Sequence, residues 1–327
     1  MSEASGQRCV VYALTSEGGD PYAAMTRLSL ASLRLSNPGV RAVLACDELS
    51  HAALRQARDR VLDEADAVVT WATPSGDAQL RSRYLKTTLR QNLAGAFLYL
   101  DADTLVRKRL DEVFALATDV AAAPNHSSDD LARQLWTSDT EMLAALGWAT
   151  SPKHYFNAGI VFLNDTSGAR TLAERWHQNW SEACVRLGRS RDQPAFNAAL
   201  LTVSPQFTVL PHRFNAQFRA NPAAAQDAAI WHYYGSTHEP PMSEVHRVAM
   251  RLGPRDEIDP SMLRRLVARS QPWLREHAFD DLMIAWVRRK KKLSSFDRLW
   301  LQGRRLESLR QRGRNLLGLK KMPEPRT

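Results

Sequence analysis

Long hydrophobic runs are missing from this sequence. No stretch approaches the roughly 18 apolar residues a membrane-spanning helix needs, and the opening MSEASGQR lacks the apolar core of a secretory signal. The expectation is a chain that remains on the cytoplasmic side. Cysteine is scarce as well: Cys9, Cys46 and Cys184 lie far apart and are odd in number. That excludes a disulfide framework and fits no zinc-ligand spacing, so the three read as reduced, mostly buried thiols. There is no internal repeat.

What is present is a globular composition, 44% hydrophobic and 24% charged over 327 residues. That length is sufficient for one large α/β domain or two ordinary ones. The net charge of +9 is unevenly placed. Residues 288–327 hold 14 of the 44 Lys and Arg but three of the 35 Asp and Glu, which leaves 30 basic against 32 acidic residues upstream. The basic character therefore belongs to a tail, whose target is to be sought separately from that of the main domain.

In the first half, short apolar runs alternate with helix-like stretches, as βαβ units feeding a mainly parallel sheet do. Strands are expected at Cys9–Thr15, Arg41–Cys46, Ala67–Trp71 and Phe97–Leu100. Helices are expected between them at Tyr22–Leu35, His51–Leu62 and Leu80–Leu93. The second half is less regular. It suggests strands at Val120–Pro124, Tyr155–Leu163 and around Ile230–Tyr234, with helices at Ser167–Leu187 and Gln193–Leu201. The stretch Gly235–Pro241 reads as an exit from the core, with helical, increasingly basic sequence from Pro260 onward. Residues 1–245 are thus expected to form the main domain and 246–327 a helical basic extension.

FLYLDADTLV carries the most chemistry. A buried strand delivers the following turn to the carboxyl edge of the sheet, where open α/β folds bind ligands. Two residues apart, Asp101 and Asp103 can converge on one divalent cation, and hard oxygen ligands suit Mg²⁺ or Mn²⁺. An isolated Asp-x-Asp more often caps a helix or solvates a turn. Lys86, fifteen residues before Asp101, is placed on the third helix, where a cation can reach a phosphate but where a lone Lys is ordinarily solvated. Asn157, Ala158 and Gly159 enter an apolar strand; small residues permit close approach of a ligand, and an Asn amide both donates to and accepts from sugar hydroxyls. Asp192 and Gln193 stand at a helix start with Pro194 in its first turn, so Asp192 is either an N-cap, a ligand contact, or both. His232 lies in an aromatic strand, where a histidine is usually a core residue; it becomes a metal-ligand candidate only as a third partner for Asp101 and Asp103.

Taken in order, LDADTLV, FNAGIVFLN, DQPAFNA and HYYG resemble the motifs of glycosyltransferase family 8 over roughly residues 8–240. These are retaining enzymes that include glycogenin and bacterial lipopolysaccharide galactosyl- and glucosyltransferases. The resemblance implies a GT-A fold of α/β class, with a mainly parallel sheet and, here, a C-terminal helical extension. It implies Mn²⁺ (or Mg²⁺) held by Asp101, Asp103 and His232 on the diphosphate of a nucleotide-sugar donor, with UDP as the family's nucleotide. Thr15 would neighbour the base. Lys86, Ala102, Asn157, Ala158, Gly235 and His238 would line the donor, and Asp192 and Gln193 would serve the reacting sugar, Gln193 beneath it. Two departures stand out. His238 replaces the lysine of Gly-x-x-Lys-Pro-Trp, and Leu14, Thr15 and Ser16 replace an acidic and Asn pattern at the end of the first strand.

From Arg288, RRKKK precedes Leu293, Phe296, Leu299, Trp300, Leu306 and Leu309 at helical spacings. An amphipathic helix of this kind lies on anionic lipid, with about 1 kcal/mol contributed per basic residue near the surface. Packing on the parent domain is the other reading. Nucleic acid is the weakest, since no recognition module accompanies the charge. The whole reads as a transferase acting on a glycan or lipid-linked acceptor, peripheral at the inner face of a membrane. The alternative is a noncatalytic GT-A-like binding protein that uses its basic tail.

Overall fold

The computed structural model describes residues 8–218, 220–234, 244–269 and 272. The first half alternates as expected: β1 (Cys9–Leu14), α1 (Pro21–Ser36), β2 (Arg41–Asp47), α2 (Glu48–Ala57), α3 (Val61–Glu64), β3 (Ala67–Trp71), α4 (Ala78–Asn92) and β4 (Phe97–Leu100). Then follow β5 (Thr104–Val106), α5 (Asp111–Phe114), β6 (Val120–Pro124), α6 (Leu131–Gln134), α7 (Thr137–Leu146) and β7 (Phe156–Leu163). After these come α8 (Ser167–Leu187), α9 (Gln193–Val203), β8 (Phe207–Val209), β9 (Ile230–His232), α10 (Glu244–Ala249) and α11 (Pro260–Ala268).

Helix starts follow their capping residues. The side chain of Asp20 accepts from the backbone N–H groups of Tyr22 and Ala23 ahead of α1, and Asp47, Asp77 and Thr166 cap α2, α4 and α8 in the same way. The single helix expected over His51–Leu62 is instead broken. Arg58 takes a left-handed conformation (φ 53°) and Asp59 accepts the N–H of Val61 at 2.9 Å, which starts a new turn. No glycine or proline announces that break.

Seven strands form one sheet in the order β3-β2-β1-β4-β7-β6-β8. All pairings are parallel except those of β7, which runs antiparallel to β4 and β6. Alternation along the strands divides the core in two. Val10, Tyr12 and Leu14 of β1 join Leu98 and Leu100 on the face covered by α1. Val11 and Ala13 join Phe97 and Tyr99 beneath Leu85 and Leu89 of α4, Trp176 of α8 and Phe196 of α9. Each of the larger apolar side chains among them contributes about 1.5–3 kcal/mol on burial.

The antiparallel course of β7 matters most for function. Its first residues lie at the sheet edge where β4 and β6 end, with Ile160 opposite Leu100 and Phe156 opposite Pro124. A separate two-stranded sheet pairs β5 with β9 and sets His232 opposite Thr104, one residue beyond Asp103.

The described residues 244–269 pack against this body. Val245 and Ala249 of α10 and Leu266 of α11 share an apolar cluster with Ala24, Met25 and Leu28 of α1 and with Trp231. Arg107 fastens it, its guanidinium 3.7 Å from the Trp231 ring centre and its Nε donating to the Val267 carbonyl at 3.1 Å. Among the described residues no helix is long and apolar enough to cross a membrane. The basic stretch 288–327 lies outside the described residues.

Candidate active site

The turn after β4 does not lead into a helix, so Asp101 and Asp103 cap none; it leads into β5. Its backbone is tied down at both sides, with Asp101 N donating to the Gly159 carbonyl and Tyr233 N to the Asp103 carbonyl, each at 2.8 Å. The pairing of β5 with β9 then brings His232 Nε2 to 3.4 Å from Asp103 Oδ1 and 3.9 Å from Asp101 Oδ2. One ligand atom from each of the three residues lies within 4.8 Å of the others, close enough to share one metal ion. An ion with bonds near about 2.1 Å holds opposite ligands up to roughly 4.2 Å apart, so both measured separations suit a single cation. Ala102 sits in the turn between the two carboxylates.

Gly159 makes this convergence possible. A Cβ at that position would lie 2.6 Å from His232 Cε1 and closer still to Asp101 Oδ2. The absence of a side chain on β7 is what lets carboxylate and imidazole meet over the strand.

Lys86 is only 3% exposed, which is rare for a lysine, and its ammonium lies 2.8 Å from Asp192 Oδ2 and 3.3 Å from Asp101 Oδ1. It also stands 5.1 Å from the ring centre of Tyr99, whose hydroxyl donates to Asp101 Oδ1. Burial, together with the Asp101 charge and that hydrogen bond, pushes the Tyr99 phenol well above its ordinary pKa and keeps it a donor. Arg83, one helical turn before Lys86, pairs through Nε with Asp192 Oδ1 at 3.0 Å. For Asp192, burial is the largest influence and by itself raises the pKa. Lys86 and Arg83 together outweigh it and hold the carboxyl below the usual range. The Asp192 side chain makes no capping hydrogen bond to α9; its partners are these two cations.

Gln193 and Asn157 meet directly. Asn157 Nδ2 donates to Gln193 Oε1 at 3.0 Å and to Asn125 Oδ1 at 3.2 Å, while Ala158 N donates to Gln193 Oε1 at 3.2 Å. The other side of the Asn157 amide, Oδ1, accepts from Gly159 N and from Asn215 Nδ2, both at 2.9 Å. The start of α9 is held against β7 by Asn197, which accepts from Phe156 N at 2.7 Å and donates to Phe156 O at 2.9 Å. Thr15 emerges at the same sheet edge and donates its hydroxyl to the Ala78 carbonyl at 2.9 Å, at the foot of the helix bearing Arg83 and Lys86. Gly235 and His238 lie outside the described residues.

The sequence therefore pointed to residues that the fold brings together: Lys86, Asp101, Asp103, Asn157, Ala158, Asp192, Gln193 and His232. It did not point to Arg83, Tyr99 or Asn215. Arg83 had a faint signal in its three-residue spacing from Lys86, and Tyr99 in the strand preceding Asp101. Asn215 had none.

Comparison with known proteins bears on this site. Residues 83–238 match the sequence model of Glycosyl transferase family 8. No curated protein matches the chain. Among solved structures, the galactosyltransferase LgtC in complex with donor and acceptor sugar analogs is similar in fold, with TM-score 0.51 and 18% identity over 79% of this chain and 100% of that one. An active-site glutamine-to-glutamate mutant of LgtC gives 0.50 and 17%, over 78% of this chain and 99% of that one. The matched segment contains every one of the eight converging residues just named, and the chain is accordingly a glycosyltransferase with a family 8 domain of GT-A fold.

Proposed function

We propose that this glycosyltransferase moves a sugar from a nucleoside diphosphate, UDP by family expectation, to a glycan or lipid-linked acceptor with retention of anomeric configuration. The observation that carries the reading is the burial of Lys86 between Asp101 and Asp192 beside the Asp101, Asp103 and His232 group. A buried ion pair contributes little net stability compared with apolar packing. Such a cluster is reasonable where a polyanion must be received.

Asp101, Asp103 and His232 would hold a divalent cation, Mn²⁺ or Mg²⁺. When bound, the ion supplies positive charge to the diphosphate that departs. Arg83 and Lys86 set two further cations beside that position, and Asp192 orients both. Ionised and paired with two cations, Asp192 is a weak nucleophile. This favours attack by the acceptor on the face the nucleotide leaves, with Gln193 beneath the sugar. Thr15, at the end of β1, is assigned to the base. The basic tail is assigned to an anionic membrane surface, which would keep the enzyme peripheral on the cytoplasmic side, near a membrane-associated acceptor.

A thermal-shift screen against UDP, GDP, CDP and their common sugar conjugates, with and without Mn²⁺, tests the reading beside Asp103→Ala. One nucleotide is expected to stabilise the wild type by about 2.7 kcal/mol at a hundredfold excess over its Kd. That shift should need both Mn²⁺ and Asp103. Absence of any metal-dependent shift would overturn the reading in favour of a noncatalytic binding domain.

A further inference from the structure

Heavy-atom positions alone leave amide orientation and histidine tautomer ambiguous. Here a chain of contacts that starts from the backbone removes the ambiguity. Gly159 N–H can only donate, so the Asn157 atom 2.9 Å from it is the oxygen. Ala158 N–H fixes Gln193 Oε1 in the same manner, and Asn157 Nδ2 accordingly faces that oxygen at 3.0 Å. The Asn215 atom 2.9 Å from Asn157 Oδ1 must then be its nitrogen. Asn215 Oδ1 is left facing His232 Nδ1 at 2.8 Å. An amide oxygen only accepts, so Nδ1 carries a hydrogen, and in the neutral ring the lone pair is then on Nε2. Nε2 is the atom 3.4 Å from Asp103 and 3.9 Å from Asp101.

We propose that Asn215 is a positioning residue that holds His232 in the tautomer able to ligate a metal. The proposal rests on the metal reading above and assigns a role to a residue outside the Asp101, Asp103 and His232 group. The opposite tautomer is a real competitor, since an Nε2–H would find carboxylate acceptors in Asp101 and Asp103. Asn215 counters it from a site without solvent: its exposure is 0% and that of His232 is 2%. The backbone around Asn215 is fixed too. Its carbonyl accepts from Ser127 Oγ at 3.0 Å, its N–H donates to the His212 carbonyl at 3.0 Å, and the next residue, Ala216, accepts from His232 N at 3.1 Å. Outer partners of this kind raise the basicity of a ligating imidazole and fix its direction.

The test uses full-length protein labelled with ¹⁵N-histidine, metal-free at pH 8, with the His232 signals assigned by difference from His232→Gln. The wild type should show a protonated Nδ1 and an unprotonated Nε2. Asn215→Ala should move the proton to Nε2 and weaken Mn²⁺ binding, measured by electron paramagnetic resonance without nucleotide, by roughly 10–100-fold. Asn215→Asp retains the oxygen that faces Nδ1 while losing the donor to Asn157, so it should keep the Nδ1–H tautomer and bind Mn²⁺ more tightly than Asn215→Ala. A wild-type ring protonated on Nε2, an Asn215→Ala protein with unchanged Mn²⁺ affinity, or an Asn215→Asp protein as weak as Asn215→Ala would each overturn the proposal. If Asn215→Ala does not fold, the wild-type spectrum and Asn215→Asp decide. Should the wild type bind no Mn²⁺, the metal reading fails, while the spectrum still reports on Asn215.

Discussion

Gly159→Ala is a one-methyl change that should separate Asp101 from His232 in the proposed metal group. The added Cβ would lie 2.6 Å from His232 Cε1, whereas carbon atoms rest at about 3.5–4.0 Å, so ring and strand must part by roughly 1 Å. Neither neighbour can give way cheaply. His232 is buried, is hydrogen-bonded to Asn215 and is paired across the small sheet with Thr104. Asp101, on the other side, is held by Lys86 and Tyr99. Overpacking of this kind costs about 1–3 kcal/mol of stability, and a 1 Å displacement in an assembled site costs on the order of 100-fold in function. The assay is Mn²⁺ titration followed by electron paramagnetic resonance, with urea unfolding measured in parallel. Gly168→Ala supplies the control, because its added methyl collides with the Asp119 carboxylate and with none of the metal group. Both variants should lose stability, and only Gly159→Ala should lose Mn²⁺ affinity. Unchanged affinity in Gly159→Ala, or an equal loss in Gly168→Ala, would refute the reasoning.

Asp192→Asn leaves the ammonium of Lys86 buried with Asp101 as its remaining carboxylate at 3.3 Å, and urea unfolding should show a loss of about 3–5 kcal/mol at neutral pH. The folded-state pKa of Asp192 is depressed, so its contribution is present above the unfolded value of about 3.9 and is lost as pH falls through the folded value. The stability gap between wild type and variant should therefore hold steady above about pH 5 and close below about pH 4; a gap that persists or widens in acid contradicts the ion-pair assignment. Replacing Lys290, Lys291 and Lys292 together by Gln should cost about 3 kcal/mol, or roughly 100-fold, in sedimentation with phosphatidylglycerol vesicles, and should leave phosphatidylcholine vesicles unaffected. Equal binding of wild type and variant to the anionic vesicles would remove the membrane assignment.

The sequence by itself determined the strands and most helices, because alternating and helical apolar periods are local properties. Ala67–Trp71, Phe97–Leu100, Val120–Pro124 and Ser167–Leu187 appear with the expected bounds. It also marked side chains that the fold gathers at one sheet edge, since carboxylates after a buried strand and an Asn-Ala-Gly entry to another are marks in one dimension. Tertiary structure decided what those side chains do to one another. The antiparallel insertion of β7 carried Asn157 and Gly159 to the edge where β4 releases Asp101, and the pairing of β5 with β9 turned His232 from a core aromatic neighbour into the third member of the group proposed to hold a metal. Lys86 reads in sequence as a solvated charge. Only the packing of α4 over Tyr99 and against the start of α9 buries it between two carboxylates. Asn215 lies 58 residues from Asn157 and 17 from His232. Its hydrogen bonds depend on distances that chain order does not encode, so its place in the site becomes visible only when the strands have been assembled.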